Sequence, residues 1–85
     1  MSVKLIISHR AEKHLIKLNK NIAIGIRRHL DKMVENPRSV DLQKVEGKKN
    51  TWRLRVGEYR AEVEFNKKNK TATVKQVKIK ERMDY

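Results

Sequence analysis

The chain has 85 residues, room for one domain with one core and no more. Its 22 Lys and Arg against 10 Asp and Glu leave a formal charge of +12, well beyond what solubility requires, which points to a polyanionic partner. The absence of cysteine excludes disulfides, thiolate nucleophiles and zinc-thiolate sites, and no apolar run suits a signal peptide or membrane span, so a single cytoplasmic domain over residues 1–85 is expected.

Val3, Leu5 and Ile7 alternate as in a short strand, and Ser8 marks a helix start with Glu12 in the first turn, where the helix dipole favours a carboxylate. Ala11, Leu15 and Leu18 form one apolar stripe of that helix. Asn19-Lys20-Asn21 interrupts it. Ile22, Ile26, Leu30, Met33 and Val34 then recur at helical spacing until Asn36-Pro37 ends the second helix, so the two make an αα-hairpin.

Beyond Pro37 the apolar period falls to two, the signature of sheet. Leu42 to Val45 reads as a short strand. Thr51 to Val56 is a clearer one, with Trp52, Leu54 and Val56 on one face and Arg53 and Arg55 on the other. Gly57-Glu58 fits a two-residue type II′ hairpin turn, and Tyr59, Ala61, Val63 and Phe65 carry the apolar face of the returning strand. Asn66 to Lys70 is a polar loop. In the final strand, Thr71 to Ile79, the apolar phase shifts from Ala72 and Val74 to Val77 and Ile79, which predicts a β-bulge near Lys75-Gln76. The expected fold is α+β: an N-terminal strand, an αα-hairpin, then three to four antiparallel strands, with the helices on one face of the sheet.

A two-residue turn sets the register of the central hairpin, so Arg55 opposes Arg60 and Arg53 opposes Glu62. Two guanidinium groups facing each other away from the core repel, and a phosphodiester would relieve that repulsion, because arginine offers a planar fork of donors matching two phosphate oxygens. A plainer account pairs Arg60 with Glu58 or Glu62 and leaves Arg55 as an ordinary solvated charge. His9, His14 and His29 share no helix face and read as helix-surface residues, and Trp52 and Phe65 read as core anchors. No His pair or acidic cluster suggests a metal site, and no cofactor is expected.

Trp52-Arg53-Leu54-Arg55-Val56-Gly57-Glu58-Tyr59-Arg60, with Leu42 to Gly47 before it and Ala61 to Phe65 after it, resembles the RelE-like mRNA interferase branch of the RelE/ParE toxin superfamily. The resemblance implies a RelE-like fold and the toxin of a type II toxin-antitoxin system: a ribosome-dependent endoribonuclease that cleaves mRNA by metal-independent transesterification. It implies an acidic RelB-like antitoxin as partner, along with the ribosome and mRNA. Carried onto matching positions, it makes Arg60, Arg55, Arg53, Lys80, Arg82 and Tyr85 the catalytic candidates, and Arg53, Arg55, Arg60, Lys44, Lys48 and Lys78 the RNA contacts. The family commonly has lysine where Arg53 and Arg55 stand, and arginine is a poor general base, so the base is left among Lys80, Glu81, Tyr85 and the ribosome. The alternative is a non-catalytic relative: a gyrase-inhibiting ParE-like toxin, or a degenerate toxin that binds RNA or antitoxin.

Overall fold

In the computed structural model, which describes residues 3–79, the chain runs β1 (Lys4–Ile7), α1 (His9–Ile16), α2 (Lys20–Glu35), a 3-10 turn (Pro37–Ser39), β2 (Asp41–Lys44), β3 (Thr51–Val56), β4 (Tyr59–Asn66) and β5 (Thr71–Ile79). Ser8 caps α1 as its sequence position predicts, its hydroxyl accepting the Ala11 N–H at 3.1 Å. The polar break at Asn19 is itself a cap: its side chain accepts from Asn21 N at 2.9 Å and opens α2. Asn36 ends α2 with its own N–H on the Lys32 carbonyl, and its side chain then starts the 3-10 turn by accepting from Arg38 N.

The five strands form one sheet in the order β1-β5-β4-β3-β2. The chain order predicts antiparallel pairing after the helices, and β2-β3, β3-β4 and β4-β5 are antiparallel. The first strand is parallel to the last, Lys4 to Ile7 lying beside Thr71 to Val74, a connection that needs the helix pair as its crossover. The helices cover one face. There Ala11, Leu15, Ile26, Leu30 and Met33 meet Leu54, Ala61, Val63, Ala72, Val74 and Val77 in the buried core. Burial of each large member contributes about 1.5–3 kcal/mol. Two expectations are corrected in detail: the strand at 42–45 runs instead from Asp41 to Lys44, and Leu18 packs on the core from the helix connection rather than from within α1.

Two local features aim the opposite face. Gly57 adopts φ +59 in the two-residue turn between Val56 and Tyr59, a conformation that strains any residue with a Cβ. The predicted bulge is present: Glu62 pairs with Gln76 and Val63 with Val74, leaving Lys75 as the extra residue. Without that insertion, Lys78 would point into the core.

Candidate nucleic-acid interface

Registers across four strands put Asp41, Arg55, Arg60 and Lys78 in one row on the face that the helices leave open. The next row holds Gln43, Arg53, Glu62 and Gln76. The expected opposition of Arg55 and Arg60 is therefore present, but the two guanidiniums live in different surroundings.

Arg55 is exposed, and its Nε lies 3.5 Å from Asp41 Oδ2, with both side chains about half accessible. Asp41 thus gives a carboxylate partner to Arg55, which the plainer account left as an ordinary solvated charge. Such an exposed pair contributes at most about 1 kcal/mol, so a phosphate can compete for Arg55. Arg60 is 6% exposed, which corrects its placement outside the folded interior. Its Nη1 donates to the Gly57 carbonyl at 2.9 Å and to the Tyr59 carbonyl at 2.8 Å, not to Glu58 or Glu62. One edge of the guanidinium thus braces the hairpin turn. Nε and Nη2 have no hydrogen-bond partner among the described residues.

In the second row, Glu62 receives Lys48 Nζ at 2.9 Å and the Gln76 side-chain amide. Partial burial works against its ionisation, yet the hydrogen bonds from Lys48 and Gln76 and the charges of Lys48 and Arg53 prevail and hold its carboxyl below the ordinary value of 4.5. Lys48, expected as an RNA contact, is thus first an anchor for Glu62. Lys44, also expected as an RNA contact, has Trp52 as its register partner, which puts it on the helix side of the sheet, away from the arginines. Lys78, named as an RNA contact, stands in the arginine row. Lys80, Arg82 and Tyr85 lie outside the described residues, as does Glu81.

Trp52 and Phe65 are half-buried and wall a groove with Pro37, Arg38, Val40 and Leu42, so Trp52 is no central core anchor. His14 is no plain surface residue either, because its Nδ1 accepts the Val77 backbone N–H at 3.1 Å. Its pKa lies below the ordinary 6.5, through burial first and then through Arg10, Lys17 and Lys78. No sequence signal marks Asp41, Gln76 or His14, since each meets its partner only after the sheet has formed. Among the described residues no cluster of three His, Asp or Glu could hold a metal ion.

Glu62 and His14 both have folded-state pKa values below their ordinary ones, so the unfolded chain binds protons more readily. Their stabilisation is complete above about pH 6.5 and is lost on acidification, first as His14 protonates and then, below about pH 4.5, as Glu62 does. Urea midpoints measured from pH 8 to pH 3 should fall in that order, and Glu62→Gln should flatten the lower limb only.

No protein-family model and no curated protein matches the sequence, whereas solved structures match over nearly its full length. The archaeal RelE in the RelE-RelB complex of Pyrococcus horikoshii is 25% identical, with a TM-score of 0.81 over 96% of this chain and 99% of that one. A mutant of E. coli toxin RelE in the free state gives a TM-score of 0.83 at 21% identity, over 98% and 88% of the two chains. The RelBE2 toxin-antitoxin complex of Mycobacterium tuberculosis gives 0.78 at 18% identity, over 93% and 99%. The chain has a RelE-like fold.

Proposed function

We propose that this chain of RelE-like fold is the toxin of a type II toxin-antitoxin system, acting in the cytoplasm as a ribosome-dependent endoribonuclease on mRNA. The observation that carries this is the row formed by Arg55, Arg60 and Lys78, three cations from three adjacent strands on the sheet face opposite the helices. A ribose 2′-hydroxyl gives its proton to a base among Lys80, Glu81, Tyr85 and the ribosome, its oxygen attacks the adjacent phosphorus, the bond to the 5′-oxygen of the next nucleotide breaks, and a 2′,3′-cyclic phosphate and a 5′-hydroxyl result. Negative charge grows on the phosphoryl oxygens during attack, and preorganised guanidiniums stabilise it without further reorganisation. Arg60 suits this role best, because the hydrogen bonds to the Gly57 and Tyr59 carbonyls fix its orientation before substrate arrives. Arg55 reaches the same phosphate once it leaves Asp41, and Arg53 lies one register step along the groove. Lys80, Arg82 and Tyr85 complete the proposed catalytic set, with the leaving 5′-oxygen protonated by Lys80 or stabilised by Arg82.

An acidic, RelB-like antitoxin would silence the toxin by neutralising this face, in keeping with the net charge of +12. The second reading, a non-catalytic relative, draws on Arg53 and Arg55, which cannot serve readily as a general base. Inducing the protein in cells and mapping mRNA 5′ ends separates the two. Cuts within translated codons that disappear when translation initiation is blocked support the ribonuclease, whereas growth arrest with DNA damage and no such cuts overturns it.

A further inference from the structure

Beyond Ile7, β1 leaves the sheet while β5 continues, so among the described residues the far half of β5 has no strand beside it on that side. Two side chains take the place of the missing strand. Ser8 Oγ donates to the Lys75 carbonyl at 3.1 Å, and His14 Nδ1 accepts from Val77 N at 3.1 Å. A backbone N–H can only donate, so His14 Nδ1 carries a lone pair and, in the neutral ring, the proton is on Nε2. That ring forms part of a groove of about 560 Å³ between the end of α1 and the end of β5, together with Lys17, Leu18, Tyr59, Lys78 and Ile79. Lys78 is also the last cation of the arginine row, opposite Arg60, so this one residue belongs to both the groove and the row.

We propose that this groove binds one ribonucleotide of the substrate, the neighbour of the cleaved phosphate, and reads its base. The half-buried Tyr59 ring with Leu18 and Ile79 offers an apolar slot for a flat base, His14 Nε2–H donates to an acceptor on the base edge, and Lys17 and Lys78 meet the flanking phosphate. A neutral imidazole donor beside a ring and two cations matches a nucleotide better than an acidic peptide, which needs only the cations. The assignment rests on the ribonuclease reading, since it takes RNA as the ligand of the adjoining row.

The test uses the full chain and non-cleavable trinucleotides, 2′-deoxy at the scissile position, that carry each base or an abasic site on either side of it. His14→Asn keeps an oxygen acceptor near the Nδ1 position for Val77 and removes the Nε2–H donor. Anisotropy titrations should show base-dependent affinity in the wild type, weakened about fivefold or more and made uniform across bases in His14→Asn, as expected for a lost base-edge contact of about 1–3 kcal/mol. Tyr59→Leu should weaken binding of every base but leave the abasic ligand unchanged, and Arg55→Ala should weaken all ligands equally. A retained Val77 amide resonance shows that the strand edge is intact. Wild-type base dependence in His14→Asn overturns the proposal, as does a wild type that binds no trinucleotide at millimolar concentration or a groove that answers only to an acidic peptide. Loss of base reading in His14→Asn with no effect of Arg55→Ala overturns the ribonuclease reading instead and leaves the groove standing.

Discussion

Arg60→Ala is expected to abolish both growth arrest and mRNA cleavage, and also to lower the stability of the fold. On the proposed function, the functional loss follows from removing a fixed donor to the developing phosphoryl charge, which costs about 10²–10³-fold in rate for a single such donor. The structural loss follows from burial. At 6% exposure the side chain donates twice to turn carbonyls, and hydrogen bonds to charged groups contribute about 1.5–3 kcal/mol each. Water can reach the freed carbonyls in part, so a net loss of about 2–3 kcal/mol is expected, or roughly 10 °C or more in Tm for a domain of this length. Total stability for such a chain is about 4–13 kcal/mol, so the variant should still fold at 25 °C. Arg60→Lys keeps the charge and one donor; it should recover much of the Tm but little of the cleavage, because an ammonium cannot brace the turn and fork a phosphate together. Calorimetry with end mapping decides the matter, and unimpaired toxicity in a folded Arg60→Ala removes this residue from the site.

Arg55→Ala should separate the two effects cleanly. Its only described partner is Asp41 at 3.5 Å, and an ion pair between half-exposed side chains contributes about 0–1 kcal/mol, so Tm should change by no more than a few degrees. Cleavage should nevertheless fall by about 10²-fold or more, since the second guanidinium of the row is gone. Asp41→Asn gives the opposite sign. It frees Arg55 from its carboxylate, removes a negative charge from the row, and should tighten RNA binding severalfold at low salt, with a steeper salt dependence. Measuring Kd against salt for both variants tests whether Asp41 is a stand-in that phosphate displaces. If Arg55→Ala cleaves like the wild type, Asp41 is simply the partner of a surface charge.

The contrast between these two arginines shows what the sequence made legible and what it hid. The tight turn at Gly57-Glu58 dictates that residues 55 and 60 face each other, and that register is observed. Nothing in the spacing shows that Arg60 folds back onto the carbonyls of its own turn, because the direction of a long side chain depends on which acceptors lie open beneath it. Asp41 was hidden for a related reason. Its pairing with Arg55 depends on the register between β2 and β3, and the connection from Val45 to Asn50 is too long for turn geometry to set it.

By itself the amino-acid sequence determined the elements, their faces and the bulge. Period and parity are local properties, and Ser8, Gly57 and the phase change between Val74 and Val77 each act within a few residues. Only tertiary structure decided that β1 runs parallel beside β5, that it leaves early, and that His14 therefore takes the place of the missing strand against Val77. The Val77 N–H meets no protein acceptor until the sheet is assembled, and which side chain lies close enough to satisfy it is a matter of packing across 63 positions of chain rather than of any nearby residue.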